Sequence, residues 1–152
     1  MAHKIPPAAL ILGLAGLVPF VWGALTYLNA DVESWAMATM GSRFIGPYLQ
    51  VFYGGLMLGF MSGVLWGFSM RAETASRAAL GYVLSVLPAA WAFFTATGGP
   101  DLASVNLILG YLGLFVLNVS FHSWGLAPDW WVRLSVVLTV VAVASLATGA
   151  WL

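Results

Sequence analysis

An all-α membrane protein, a bundle of five transmembrane helices, is the fold class this sequence predicts, and three observations carry the prediction. Hydrophobic residues make up 62% of the chain and charged residues only 7%, whereas a soluble domain is about half apolar and roughly a quarter charged. The mean hydropathy is +0.97. The five basic and five acidic side chains fall between long apolar runs or at their ends. A fold in water cannot hide that much apolar surface, but lipid solvates it, and 152 residues suffice for several spans of about 20 residues joined by short turns.

Five runs can each cross about 30 Å of hydrocarbon, and together they define one polytopic transmembrane domain over residues 1–152. The first is Pro6–Leu28. Pro6-Pro7 suits a helix start. The run exceeds the apolar core of a secretory signal and lacks a small-x-small cleavage site before Asp31, so it reads as a retained span. Pro19 removes a mid-span hydrogen bond and should release the Ala15 carbonyl. The connection Asn29–Phe44 carries Asp31, Glu33, Trp35 and Met37. It fits either a short helix lying at the interface around Trp35 or an irregular loop.

The second run, Ile45–Met70, places Gly55, Gly59, Gly63 and Gly67 at a strict spacing of four, flanked by Gly54 and Ser62. That stripe lets another backbone approach closely and predicts helix packing, chiefly within the chain and otherwise across an intermolecular interface. The third run, Ala78–Thr97, contains Pro88, which should free the Leu84 carbonyl, with Ser85 placed to satisfy it in part. Gly98-Gly99-Pro100 ends that helix, and Asp101 can cap the fourth run, Leu102–Trp124.

On the fourth helix Tyr111, Asn118 and His122 recur at spacings of seven and four and form a polar stripe, the best candidate site in the sequence. Its bland reading is an interhelical hydrogen bond from Asn118 plus an interfacial His. Its functional reading is a contact to a headgroup, quinone or cofactor, or a proton-accepting His, with Trp66, Trp124 and Arg133 nearby. Asp129 and Arg133, four apart at the start of the fifth helix, the run Val132–Leu152, can pair. Ser135, Thr139, Ala142 and Gly149 give that last helix a small, weakly polar face, on which Ser and Thr usually bond their own helix.

Charge placement orients the chain. With the N-terminus inside, Lys4, Arg71, Arg77 and Arg133 face the inner side and Arg43 stands alone outside, which puts the C-terminus outside; Trp130-Trp131 reads as an inner interfacial anchor. A duplication is suggested by Pro19-Phe20-Val21-Trp22 against Pro88-Ala89-Ala90-Trp91, and by Trp66-Gly67 against Trp124-Gly125. On that reading two parallel helix pairs precede a solitary fifth helix.

Several functions are excluded or disfavoured. Zero net charge with no basic patch leaves nucleic acid without an electrostatic footprint. The absence of cysteine removes thiolate metal sites and thiol nucleophiles. The second His, His3, has no carboxylate pair or other ligand set to join, so a metal centre is not expected. No catalytic triad, phosphate loop or dinucleotide fingerprint occurs, so no catalytic residues are assigned and an enzyme is not expected.

The segments Leu12-Gly-Leu-Ala-Gly-Leu-Val-Pro-Phe20, Ser62-Gly-Val-Leu-Trp-Gly67, Leu84-Ser-Val-Leu-Pro88, Pro128-Asp-Trp-Trp-Val-Arg-Leu134 and Leu138-Thr139 resemble a family of short bacterial and mitochondrial membrane proteins of unknown function, related to transmembrane protein sixty-nine. The resemblance covers the first, second, third and fifth helices. It implies an inner-membrane, multi-pass location, bacterial or mitochondrial. It also implies a His in many members just before the second-helix Trp-Gly, a position held here by Leu65.

The leading functional expectation is a non-enzymatic accessory, assembly or structural subunit that docks on a larger membrane complex. The alternative is a binder or carrier of an apolar small molecule such as lipid or quinone. The expected partners are membrane lipids and a membrane protein, and no cofactor is evident beyond such a lipid or quinone.

Overall fold

A computed structural model describes residues 4–152, and His3 lies outside that range. Among the described residues the regular structure is all helical: α1 Pro7–Ala15, α2 Val18–Leu28, α3 Ala30–Met40, α4 Tyr48–Ser69, α5 Ala75–Thr95, α6 Pro100–Ser123 and α7 Trp131–Trp151, with a 3-10 turn at Ser42–Phe44. Five helical stretches are long and apolar enough to cross a membrane: Pro7–Leu28, Tyr48–Ser69, Ala75–Thr95, Pro100–Ser123 and Trp131–Trp151. These are the five expected spans, each shifted by three residues or fewer.

The first span is split where Pro19 requires it. α1 stops at Ala15 and α2 begins at Val18. The hydroxyl of Tyr53 on α4 donates to the Gly16 carbonyl at 2.8 Å, so a polar group exposed by the break is met by a neighbouring helix. Pro88 has a milder effect, because α5 runs through it. The partner at this kink is not Ser85, whose hydroxyl bonds the Tyr82 carbonyl at 2.7 Å. It is Ser62 on α4, which accepts the Ala89 N–H at 2.9 Å. A proline frees an N–H on its C-terminal side as well as a carbonyl, and only an acceptor can meet it. The two prolines thus sit at similar depth, the thirteenth residue of the first span and the fourteenth of the third, yet one breaks its helix and the other bends it.

The Asn29–Phe44 connection forms a helix rather than a loop. The Asn29 side chain accepts from the N–H groups of Asp31 and Val32 and so caps α3. Trp35 of α3 meets Trp22 of α2 edge-on, and Trp22 donates to the Phe44 carbonyl at 2.8 Å. Asp101 does not cap α6. Gly99 does so from a φ of +113°, and Asp101 lies in the first turn, where its charge faces the positive helix end. The far end of α6 closes on Gly125 at φ +74°, with Leu126 N–H bonded back to Phe121 O and Gly125 N–H to His122 O.

α4 and α6 cross at the centre; α5 packs on both of them, and α2 and α7 close the other side. α1 buries no residue and packs on α7, through Gly13 against Leu134 and Leu138. The glycine stripe of α4 does not pack inside the chain. A Cβ on Gly55, Gly59, Gly63 or Gly67 would meet nothing within 4 Å. Close approach occurs instead at glycines outside the stripe. A Cβ on Gly54 would touch Leu107, one on Gly110 would press on Trp91 and Leu58, and one on Gly46 would collide with the backbone of Gly23. Periodicity marks a smooth face but not the direction in which it points.

Gly46→Ala should lower stability by about 1–3 kcal/mol, because the opposing atoms are backbone and cannot turn aside. Gly63→Ala should leave it unchanged or raise it by up to about 1 kcal/mol, through helix propensity alone. Thermal unfolding of both variants in one mild detergent measures the contrast.

Candidate functional site

A cavity of about 260 Å³ lies between the α1–α2 break and the face made by α4, α6 and α7. It lies where the first span is interrupted: α1 stops at Ala15, α2 begins at Val18, and Leu12, Gly13, Gly16 and Leu17 of that stretch form one wall. The deeper wall is apolar, with Leu17, Phe20, Met57 and Ala142. Toward the rim where α7 begins, Asn118, Ser135 and Thr139 join it. No Asp, Glu, Lys, Arg or His side chain lines the space.

Of the six residues expected to form a ligand site, the structure brings two to this cavity. Tyr111 lines its wall with its ring edge-on to Phe20 and its hydroxyl bonded to the Gly54 carbonyl at 2.8 Å. Asn118 is buried and accepts the indole N–H of Trp131 at 2.9 Å. The other four stand elsewhere. His122 is half-buried beyond the level of Trp131, with an Nδ1 that is buried and has no hydrogen-bond partner among the described residues. Trp66 is exposed and packs on Tyr82, and Trp124 packs on Phe121. Arg133 is exposed at the start of α7 and, like Asp129, is not without a partner. One stripe on α6 therefore splits into a buried pair and a residue at the helix end.

Trp131 overturns the expectation of an interfacial anchor. It is 8% exposed and turned into the bundle, because Asn118 supplies the acceptor that its indole needs away from water. Trp130 remains half-buried beside it. The Arg71 guanidinium donates to the Leu126 carbonyl at 3.2 Å and ties the end of α4 to the α6–α7 turn. At the opposite rim Arg43 lies over the Phe52 ring, 4.9 Å from its centre.

Ser135 and Thr139 of α7 depart from the rule that membrane Ser and Thr bond their own helix. Ser69, Ser120, Thr95 and Thr148 obey it, each donating to a carbonyl three or four residues earlier. Ser135, only 1% exposed, makes no hydrogen bond among the described residues. Thr139, one turn on and half-buried, likewise has none there. Sequence reasoning named both as packing residues, and no sequence signal separates an engaged hydroxyl from a vacant one.

Gln50 was missed altogether. It lies in the first turn of α4, is fully buried, and its amide donates to the Ser145 carbonyl at 2.8 Å. A lone Gln inside an apolar run was the available signal.

These features define a class: a multi-pass helical membrane protein with an uncharged internal cavity. Comparison with known proteins narrows it. The chain belongs to the family described as protein of unknown function (DUF3429), whose family model matches residues 5–151. It is similar to Transmembrane protein 69 of Xenopus tropicalis, 34% identical over 145 residues that cover 93% of this chain and 53% of that protein. The chain thus spans about half the length of that relative. No solved structure matches.

Asn118→Leu should cost about 0.6 kcal/mol and at most about 1.7, the range measured for interhelical bonds in lipid, where the unfolded state also finds partners. Trp131→Phe made on top of it should add less than it costs alone, since the shared bond is already gone. A double-mutant cycle from unfolding in detergent reads the coupling.

Proposed function

We propose that this protein is a non-enzymatic binder of an apolar small molecule dissolved in the membrane, a lipid or quinone, held in the cavity between the α1–α2 break and α4, α6 and α7. One observation carries the reading: the cavity combines an apolar wall with vacant hydroxyls at one end, which suits an amphiphile lying along the bilayer normal. Its volume, about 260 Å³, exceeds the roughly 150 Å³ that suffices for benzene in an apolar cavity, so a ring or a stretch of acyl chain fits. The orientation proposed with it has the N-terminus inside, because Lys4, Arg71, Arg77 and Arg133 then share the inner rim. The membrane proposed is the bacterial or mitochondrial inner membrane.

The test is extraction. Organic extracts of protein purified from its own membrane should contain one apolar species in near-stoichiometric amount, and Thr139→Phe, which fills the cavity from a half-buried position, should lose it while retaining its thermal transition. Identical extracts from the two proteins would overturn the reading.

A second reading, docking on a larger membrane complex as an accessory subunit, is favoured by the unpartnered glycines Gly55, Gly59, Gly63 and Gly67, which leave a smooth α4 face for a partner helix. Gly59→Leu with Gly63→Leu should then reduce the particle size in mild detergent without lowering the stability of the isolated chain. An unchanged particle size would remove this reading.

A further inference from the structure

The pattern of vacant donors in the cavity specifies the ligand more closely than its apolarity does. On the proposed reading that this cavity holds an apolar molecule, we infer that the molecule is uncharged and carries a carbonyl oxygen, which Ser135 and Thr139 receive as hydrogen-bond donors.

Three observations lead there. The first is the absence of charge: no ionisable side chain other than the engaged phenol of Tyr111 lines the space. A phosphate or ammonium head drawn into it would be unpaired in a low-dielectric site, at a cost that excludes it. The second is which polar groups are already used. The Tyr111 hydroxyl is spent on Gly54, and the Asn118 oxygen is spent on the Trp131 indole. What remains is the N–H groups of the Asn118 amide, which only donate, and the hydroxyls of Ser135 and Thr139, which can each donate one hydrogen bond and accept others. An acceptor oxygen in the ligand is the one group that all of them can meet.

The third observation is the placement of these groups. Ser135 and Thr139 are four residues apart on one face of α7, one and two turns in from the Trp131 level, with Thr139 at the accessible edge and Ser135 at the floor. An acceptor oxygen seated there directs the remainder of its molecule toward Leu17, Phe20 and Met57, deeper in the bilayer. Head toward the rim and tail toward the midplane is the orientation that a neutral amphiphile already adopts in lipid. An orphaned buried hydroxyl is destabilising unless something occupies it, and among the described residues Ser135 is the one orphaned buried hydroxyl that lines this cavity. The ligand-free protein is therefore the strained state.

Two membrane-soluble sources offer this chemistry, a quinone ring and a neutral acyl ester. The experiment uses the full chain in nanodiscs of uncharged lipid, with retention above empty discs measured for three labelled probes of equal tail length: a decyl benzoquinone, a decanoyl glycerol and decylbenzene. At least one carbonyl probe should bind more tightly than decylbenzene, and which one does so identifies the source. Ser135→Ala should weaken that probe by roughly three- to tenfold, the worth of one hydrogen bond, and leave decylbenzene unchanged. The same substitution should raise the thermal midpoint of the ligand-free protein, because it deletes an unsatisfied group, whereas a merely structural serine would lower it. Ser135→Thr should restore the preference. Equal retention of all three probes, each abolished by Thr139→Phe, would overturn the carbonyl inference and leave the cavity reading standing. Retention of none above empty discs would overturn both.

Discussion

Hydrocarbon offers no hydrogen bonds, so every backbone group that a helix cannot satisfy internally has to find a partner on another helix. Two prolines create that demand here, and α4 answers both. Tyr53 donates to the carbonyl at Gly16, and Ser62 accepts the N–H at Ala89. Tyr111 then fastens α6 to α4 through the Gly54 carbonyl. Because lipid tails are as apolar as leucine, burial alone gives these helices little reason to associate. Close packing and this small set of polar ties fix how they cross.

The cavity lies beside one of these interruptions, at Gly16–Leu17, and α1 beyond it buries no residue of its own. At the other end of the molecule the bundle is tight: Thr26 accepts the Gly46 N–H, and Gln50 reaches across to the Ser145 carbonyl. Buried groups without partners occur in both halves, Gln50 Oε1 and Ser104 Oγ in this one and Ser135 Oγ in the other, but only Ser135 lines the cavity. That asymmetry gives the half with the cavity its functional interest.

Family membership adds location more than chemistry. The similarity to Transmembrane protein 69 covers nearly the whole of this chain but about half of that protein. The bundle is therefore the shared part, and activity has to be argued from the bundle itself. The vacant α7 hydroxyls beside the cavity and the unpartnered α4 glycines are features that helix packing within the chain leaves unexplained.

Fold class, the number of spans and their limits were legible in the sequence because they depend on the solvent. Long apolar runs separated by charge and by Gly or Pro can only be helices in lipid, and each proline marked where a helix would be perturbed. The direction in which a face points was not legible. The glycine stripe and the Tyr111–His122 stripe are both real periodicities, yet no neighbouring helix fills the space beside the first and the second divides between the cavity and the helix end. Whether Ser135 bonds its own helix or stands vacant, and whether Trp131 faces the interface or Asn118, depend on which neighbour supplies an acceptor. Only the crossing of α4, α6 and α7 decided that, since spacing along one helix carries no information about what lies opposite.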